Sequence, residues 1–358
     1  PAFRFAVDYA SATGRTLISG YAGISRVALA WLAVAFFVDM FIATAAVALV
    51  TAGLFSSVFY LPFSGPQVAV VLTVASALLL LNGRYARAER LVTVLVVLFS
   101  VLTFVATLFA LPLLGSGDRG LFAEIVPSQA LAVFVIAVAG WMPMPMTGSI
   151  FQSMWIRERR RSGDFDHARA LHDFRLGYGL TLVLAVCFVV MGTAVLFETD
   201  RVVPASAGAF ATELLSIFTS VIGDWTYPVI AIAAIAVMWS TLLALLDALP
   251  RVTDRLLGIL AGRAADAPGR YTRFLVVQVA GVAILLLFLM RGFTGYIDFA
   301  TGAGFLAAPA LAYYNYRAIT APEVSAAFRP SRALAVWNWI GIVVLAAFAL
   351  SFFASRLW

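Results

Sequence analysis

The chain alternates long apolar runs with short polar segments. Nine runs reach the roughly 17–25 residues that a helix needs to cross a hydrocarbon core of about 30 Å. They lie at about 28–55, 66–82, 91–112, 129–156, 176–197, 226–249, 273–290, 294–316 and 333–354. The runs are continuously apolar and do not alternate as barrel strands do, so they predict helices. Residues 1–10, PAFRFAVDYA, read as the end of one more helix. Residues 206–222 place Phe210, Leu214, Ile217, Phe218 and Val221 at helical spacing, which predicts a shorter interfacial helix on the outer surface.

Composition sharpens this into a class. Of 358 residues, 63% are hydrophobic and 12% charged, with a mean hydropathy of +0.99. Soluble domains run nearer 45–50% apolar and about 25% charged. The chain is therefore expected to be an all-α polytopic membrane protein, which excludes most soluble enzyme classes. The sequence has no HExxH, GxSxG or Walker loop, and no enzyme is expected. No signal-peptide pattern is present. The single cysteine, Cys187, excludes an intrachain disulfide and a cysteine-based metal site.

Charge adds orientation. The net charge of +6 comes from 24 arginines and no lysine, and 19 of the 24 fall in loops 11–27, 83–90, 157–175, 250–273 and 317–332. By the positive-inside rule these loops face the cytoplasm, and the odd number of spans puts the C-terminus outside. The basic charge thus reads as topology, with no nucleic-acid partner expected. Both histidines, His167 and His172, fall in loop 157–175 and read as part of a solvated charged loop.

Candidate chemistry lies where the chain breaks membrane rules. The run 129–156 contains Gly140-Trp141-Met142-Pro143-Met144-Pro145-Met146-Thr147-Gly148. Proline lacks an N–H and clashes with the preceding turn. Pro143 and Pro145, flanked by Gly140 and Gly148, predict an unwound helix near mid-bilayer, with the carbonyls around Ala139 and Gly140 freed to coordinate. Three thioethers, Met142, Met144 and Met146, stand in the same break, and a thioether is a soft ligand suited to transition metals. Ionisable groups inside spans are costly and usually functional. Asp39 lies near the middle of its run, where it could carry protons or attract a cation. Asp298 lies in another run, whose Gly302, Gly304 and Pro309 predict a second irregular helix. Asp247 and Glu158, near cytoplasmic helix ends, read as structural partners of arginines such as Arg251. Ser240 and Thr241 are expected to bond back to their own helix.

These residues resemble a family. Ala139-Gly140-Trp141-Met142-Pro143 is similar to the broken sixth helix of the natural resistance-associated macrophage protein (Nramp) family of divalent metal transporters, which carries Ala-x-x-Met-Pro-His. Ala12-Thr13-Gly14-Arg15 looks like the turn after that family's second helix. Asp39 matches the Asp of its third helix, and Ala308-Pro309-Ala310-Leu311 the end of its tenth. The resemblance implies a LeuT-type inverted-repeat fold, with 1–127 as the remainder of the first repeat, 128–320 as the second, and 333–354 as an additional C-terminal helix. Nine spans plus the end of another then predict a first helix preceding Pro1.

The resemblance further implies a bacterial cytoplasmic-membrane transporter whose metal is substrate, with no resident cofactor. The Ala139 carbonyl and Met142 sulfur would be metal ligands, and Asp39, Met144 and Asp298 pathway or proton-coupling groups. Partners would be a divalent metal ion, protons and the lipid bilayer, and the oligomeric state is left open. Met144 stands where the family has His, Ser149 where it has a second His, and Ile42 where it often has Glu. Proton coupling would then rest on Asp39 alone or be absent. The alternative is an amino-acid or other organic-solute symporter of the same fold superfamily.

Overall fold

A computed structural model describes residues 1–82, 85–114, 135, 144–163, 165–197, 206–262, 269–290 and 292–357. The described residues are helical, with no strand among them. The helices are α1 (Ala2–Thr13), α2 (Leu17–Ile24), α3 (Arg26–Phe59), α4 (Gly65–Leu81), α5 (Tyr85–Ala110), α6 (Gly148–Arg161), α7 (His167–Gly192), α8 (Ala207–Ile222), α9 (Tyr227–Leu260), α10 (Arg270–Ile284), α11 (Phe293–Ile319) and α12 (Arg332–Leu357). Among the described residues, six stretches are long and apolar enough to cross a membrane: those containing α3, α5, α7, α9, α10 and α12. The helices at 65–81 and 293–319 form where the sequence places them but are not among the six.

Three differences from the sequence reading have local causes. The segment 167–175 is helix, not loop. Asp166 caps it through its side chain, which accepts from Ala168 N, and α7 starts at His167. Residues 207–222 do not lie free on a surface. They bury Ala207, Ala211, Leu215, Ile217 and Phe218, and pack on α3. That approach is close because Gly53 of α3 has no side chain; a Cβ there would sit 2.3 Å from the Ala207 carbonyl oxygen. Helix α11 runs unbroken through Gly302, Gly304 and Pro309. Within a packed bundle one lost N–H bond is tolerated and need not end a helix.

The interior is organised by α3. Its second half carries Ala45, Ala46, Ala48, Ala52 and Gly53, all buried. Small residues let helix backbones approach closely, which is how membrane helices gain contact without a hydrophobic driving force. Helices α4, α8 and α9 pack on this half. Midway, Asp39–Ala43 forms a π-turn. Such turns disturb the helical ladder and often mark functional sites. Partners from neighbouring helices accompany this one. Tyr296 of α11 donates to the Ile42 carbonyl at 2.7 Å, and Gln278 of α10 donates to Thr44 at 2.9 Å. Phe41 presses against Gly281 of α10, where a Cβ would lie 2.2 Å from the ring.

At one end of the bundle, α1 stops at Gly14, which adopts the left-handed conformation with φ of 66°. Thr13 folds back, donating to the Tyr9 carbonyl and accepting from Arg15 N. The Arg160 side chain of α6 donates to the Ser11 carbonyl, placing a cation at the negative end of α1. The Ala12-Thr13-Gly14-Arg15 motif is thus a helix stop with an arginine held over it.

Candidate functional site

Asp39 is the buried carboxylate on α3, 6% exposed, at the first position of the π-turn. It lies roughly 20 Å along a helix of roughly 50 Å, at 1.5 Å per residue. An ionised carboxylate at such depth needs a partner. The partner is Thr147, itself 5% exposed, whose hydroxyl donates to Asp39 Oδ2. Thr147 immediately precedes α6, in the helix-starting position where a threonine side chain usually caps its own helix. Here it makes no cap bond. Its hydroxyl is spent on α3 instead.

The backbone before Thr147 explains its position. Met144 and Pro145 are not helical, Met146 and Thr147 form a turn, and the helix resumes at Gly148. The first turn is tight. Gly148 N donates to the Pro145 carbonyl at 2.9 Å, Ser149 N to Met146 and Ile150 N to Thr147. Pro145 thus lies in non-helical backbone three residues before α6. Ala139, Gly140, Met142 and Pro143 lie outside the described residues.

Asp39, Pro145 and Thr147 line a cavity of about 200 Å³ together with Gly304 of α11 and apolar groups including Trp31, Val34 and Leu306. The structure thus brings Asp39 and Pro145 to one place. Met144 is half-buried and not part of that lining. Its thioether packs over Gly148, where a Cβ would lie 2.2 Å from the methionine methyl carbon and 2.9 Å from its sulfur. Asp298 lies on α11, and its side chain is outside the described residues. No group of three or more His, Cys, Asp or Glu side chains among the described residues could hold a metal ion.

A second buried polar knot links α6 to other elements. Asn315 of α11 is fully buried. Its Nδ2 donates to Ser149 Oγ at 3.0 Å and to the Ala2 carbonyl at 3.1 Å. The Tyr21 hydroxyl lies 2.9 Å from Asn315 Oδ1 and 3.0 Å from the Leu311 carbonyl, sharing its proton between them. Ser149 in turn donates to the Met146 carbonyl. All hydrogen-bonding groups of the Asn315 amide are in use, as a buried amide in a membrane protein requires.

Sequence reasoning missed Thr147, Asn315, Gln278 and Tyr21. For Thr147 a signal existed: a hydroxyl one residue before a helix start, after a double-proline break, in an apolar run. It also placed His167 in solvent. His167 instead packs on Phe328 with ring centroids 4.8 Å apart and sits 3.6 Å from Asp8, which Arg4 also pairs at 3.1 Å. Other expectations hold. Arg251 pairs with Asp247 at 2.8 Å. Ser240 and Thr241 both bond back to the Val237 carbonyl.

No family model matches the chain. It is similar to an uncharacterized protein of Pasteurella multocida (strain Pm70), 27% identical over an alignment 365 residues long that covers 99% of this chain and 82% of that one.

Proposed function

We propose that the protein is a secondary transporter that moves divalent transition-metal ions such as Mn²⁺ or Fe²⁺ by alternating access. The observation that carries this reading is the Asp39–Thr147 contact. It joins a carboxylate deep in an apolar helix to the end of a proline-broken segment, beside a cavity. Broken helices whose freed backbone faces a cavity are the usual construction of transporter substrate sites. The resemblance of the break to the Nramp sixth helix supplies the ion class.

On this reading the Ala139 carbonyl and the Met142 sulfur hold the ion, hard and soft donors that together favour a transition metal over Mg²⁺. Asp39 contributes negative charge and is the group through which protons would couple. The LeuT-type inverted repeat, the bacterial cytoplasmic membrane and a cytoplasmic side for the arginine-rich loops belong to the same proposal. Access alternates as the segment containing the break rocks against α3 and α11.

Uptake of Mn²⁺ or Cd²⁺ into proteoliposomes tests it. Wild-type protein takes up metal, Met142→Ala weakens binding about tenfold or more, and Asp39→Asn alters the pH profile of uptake without abolishing metal binding. Absence of uptake, or unchanged affinity in Met142→Ala, would count against the reading. A second reading is an amino-acid or other organic-solute symporter. It draws on the apolar lining by Trp31, Val34 and Leu306. Uptake of labelled amino acids without metal uptake would favour it.

A further inference from the structure

We infer that Thr147 is a positioning residue that couples cation binding to movement of α6: its hydroxyl is a latch on Asp39 that the incoming cation must displace. The inference rests on the transporter reading above.

Four observations carry it. The Thr147 hydroxyl makes no bond within its own helix and donates to Asp39 Oδ2. Both partners are buried and face one cavity. The backbone on the N-terminal side of Thr147, at Met144 and Pro145, is not helical, so the start of α6 is not held by a continuous helical ladder. The first turn of α6 is instead tied sideways, to α3 through Thr147 and to α11 through Ser149 and Asn315.

A carboxylate lone pair cannot accept a hydroxyl proton and bind a cation at once. A cation that takes the Oδ2 lone pair to which Thr147 donates therefore displaces that hydroxyl and removes the hydrogen-bonded tie between α6 and α3. What remains on α6 includes the Asn315–Ser149 bond, the bond from Leu17 N to Ser153, the edge-on packing of Phe151 on Phe36 of α3, and the Arg160–Ser11 contact at its far end. Substrate arrival thus loosens the hydrogen-bonded start of α6 while its later turns stay anchored, which favours a tilt of the helix over its detachment. The latch also opposes binding, because part of the affinity of Asp39 for a cation goes into breaking a charge-assisted hydrogen bond.

Thr147→Val keeps the shape and removes the hydroxyl. The expected result is a split: KM for Mn²⁺ falls, by about tenfold or more for a hydrogen bond to a charged group, while kcat falls because binding no longer signals to α6. Thr147→Ser restores both to within about twofold, since the hydroxyl is back. In hydrogen–deuterium exchange of the full chain, the amides of 148–153 exchange faster in Thr147→Val and in Asp39→Ala, and faster in wild type when Cd²⁺ is added, while those of α9 do not change. Three outcomes overturn the latch: unchanged KM and kcat in Thr147→Val, a raised KM (which would make Thr147 a cation ligand), or unchanged exchange at 148–153 in both variants. Failure of the transport reading is separate. It shows as no metal uptake by wild type, and the exchange rates of the two variants then decide the latch on their own.

Discussion

Helices α3 and α12 are both apolar enough to cross a membrane, yet they occupy opposite environments. In the most apolar window of α3, 61% of residues are buried inside the protein; in that of α12, 6% are. Apolarity therefore assigns both to the bilayer and says nothing about which one the bundle is built around. The difference lies in the residues that are not large and apolar. Helix α3 carries buried Ala and Gly along one half and the buried polar residues Asp39, Thr44 and Thr51. Helix α12 packs on α11 and turns Trp337, Val343 and Leu350 outward. In lipid, close approach and polar pairing select the interior, because burying one more leucine gains little where the solvent is itself hydrocarbon.

That contrast can be broken most forcefully at Gly53. A Cβ at this position would lie 2.3 Å from the Ala207 carbonyl oxygen and 2.7 Å from its carbon, and both are backbone atoms. No side-chain rotation relieves the clash. Gly53→Val is expected to cost about 3 kcal/mol or more, at the upper end of overpacking penalties, seen as a large drop in the thermal midpoint of the purified protein or as loss of monodisperse material. A midpoint within a degree of wild type would show that α8 is not held against α3.

Gly281 is the next step down. Its neighbour is the edge of the Phe41 ring, 2.2 Å from a would-be Cβ. A ring can swing where a backbone cannot, so Gly281→Ala is expected to cost about 1–3 kcal/mol. Because Phe41 lies within the π-turn, the same substitution should also disturb the Asp39 region. Unfolding followed by differential scanning calorimetry reads the first effect, and, on the proposed transporter reading, the affinity for Mn²⁺ reads the second. An unchanged midpoint together with unchanged affinity would place Phe41 elsewhere.

Tyr296→Phe probes the turn more gently. It removes the hydroxyl that donates to the Ile42 carbonyl at 2.7 Å and leaves the ring in place. The loss expected is about 1 kcal/mol, typical of one hydrogen bond. A double mutant with Gly281→Ala should deviate from additivity, since both act on one turn. Strict additivity in chemical denaturation would mean that the two contacts are energetically independent.

The sequence displayed these elements unevenly. The long helices were legible because hydrophobic runs of this length have few alternatives in a chain so poor in charge. Asp39 was legible because a carboxylate in an apolar run violates a strong rule, and Pro145 because proline leaves a mark on any helix. The partners were not. Thr147, Gln278 and Asn315 are unremarkable residues whose meaning comes from a helix distant in sequence: 108 residues separate Asp39 from Thr147, and 234 separate Thr44 from Gln278. His167 was misread because charge density suggested solvent, whereas the Asp166 cap started a helix and turned the imidazole toward Asp8 and Phe328. Periodicity reports what one helix would bury, and only packing reports against whom.

The smallest effect belongs to α12 and sharpens the comparison from the other side. Gly341 lies in the middle of that helix, and a Cβ there would meet no atom within 4 Å. Its φ is ordinary, so an L-residue fits without strain. Gly341→Ala should leave the fold untouched and raise stability slightly, by at most about 0.5–1 kcal/mol from the gain in helix propensity. The same chemical change, one methyl group added to a glycine in an apolar helix, would thus be neutral or favourable on α12 and costly at Gly281 beside α3. The measurement is the thermal midpoint of Gly341→Ala and Gly281→Ala side by side in one detergent. Equal losses would mean that the outer face of α12 is covered by protein in the membrane, and the distinction between an interior helix and a peripheral one would then fail. Unequal losses, with Gly341→Ala at or above wild type, would confirm that α3 is where backbone approach is decisive.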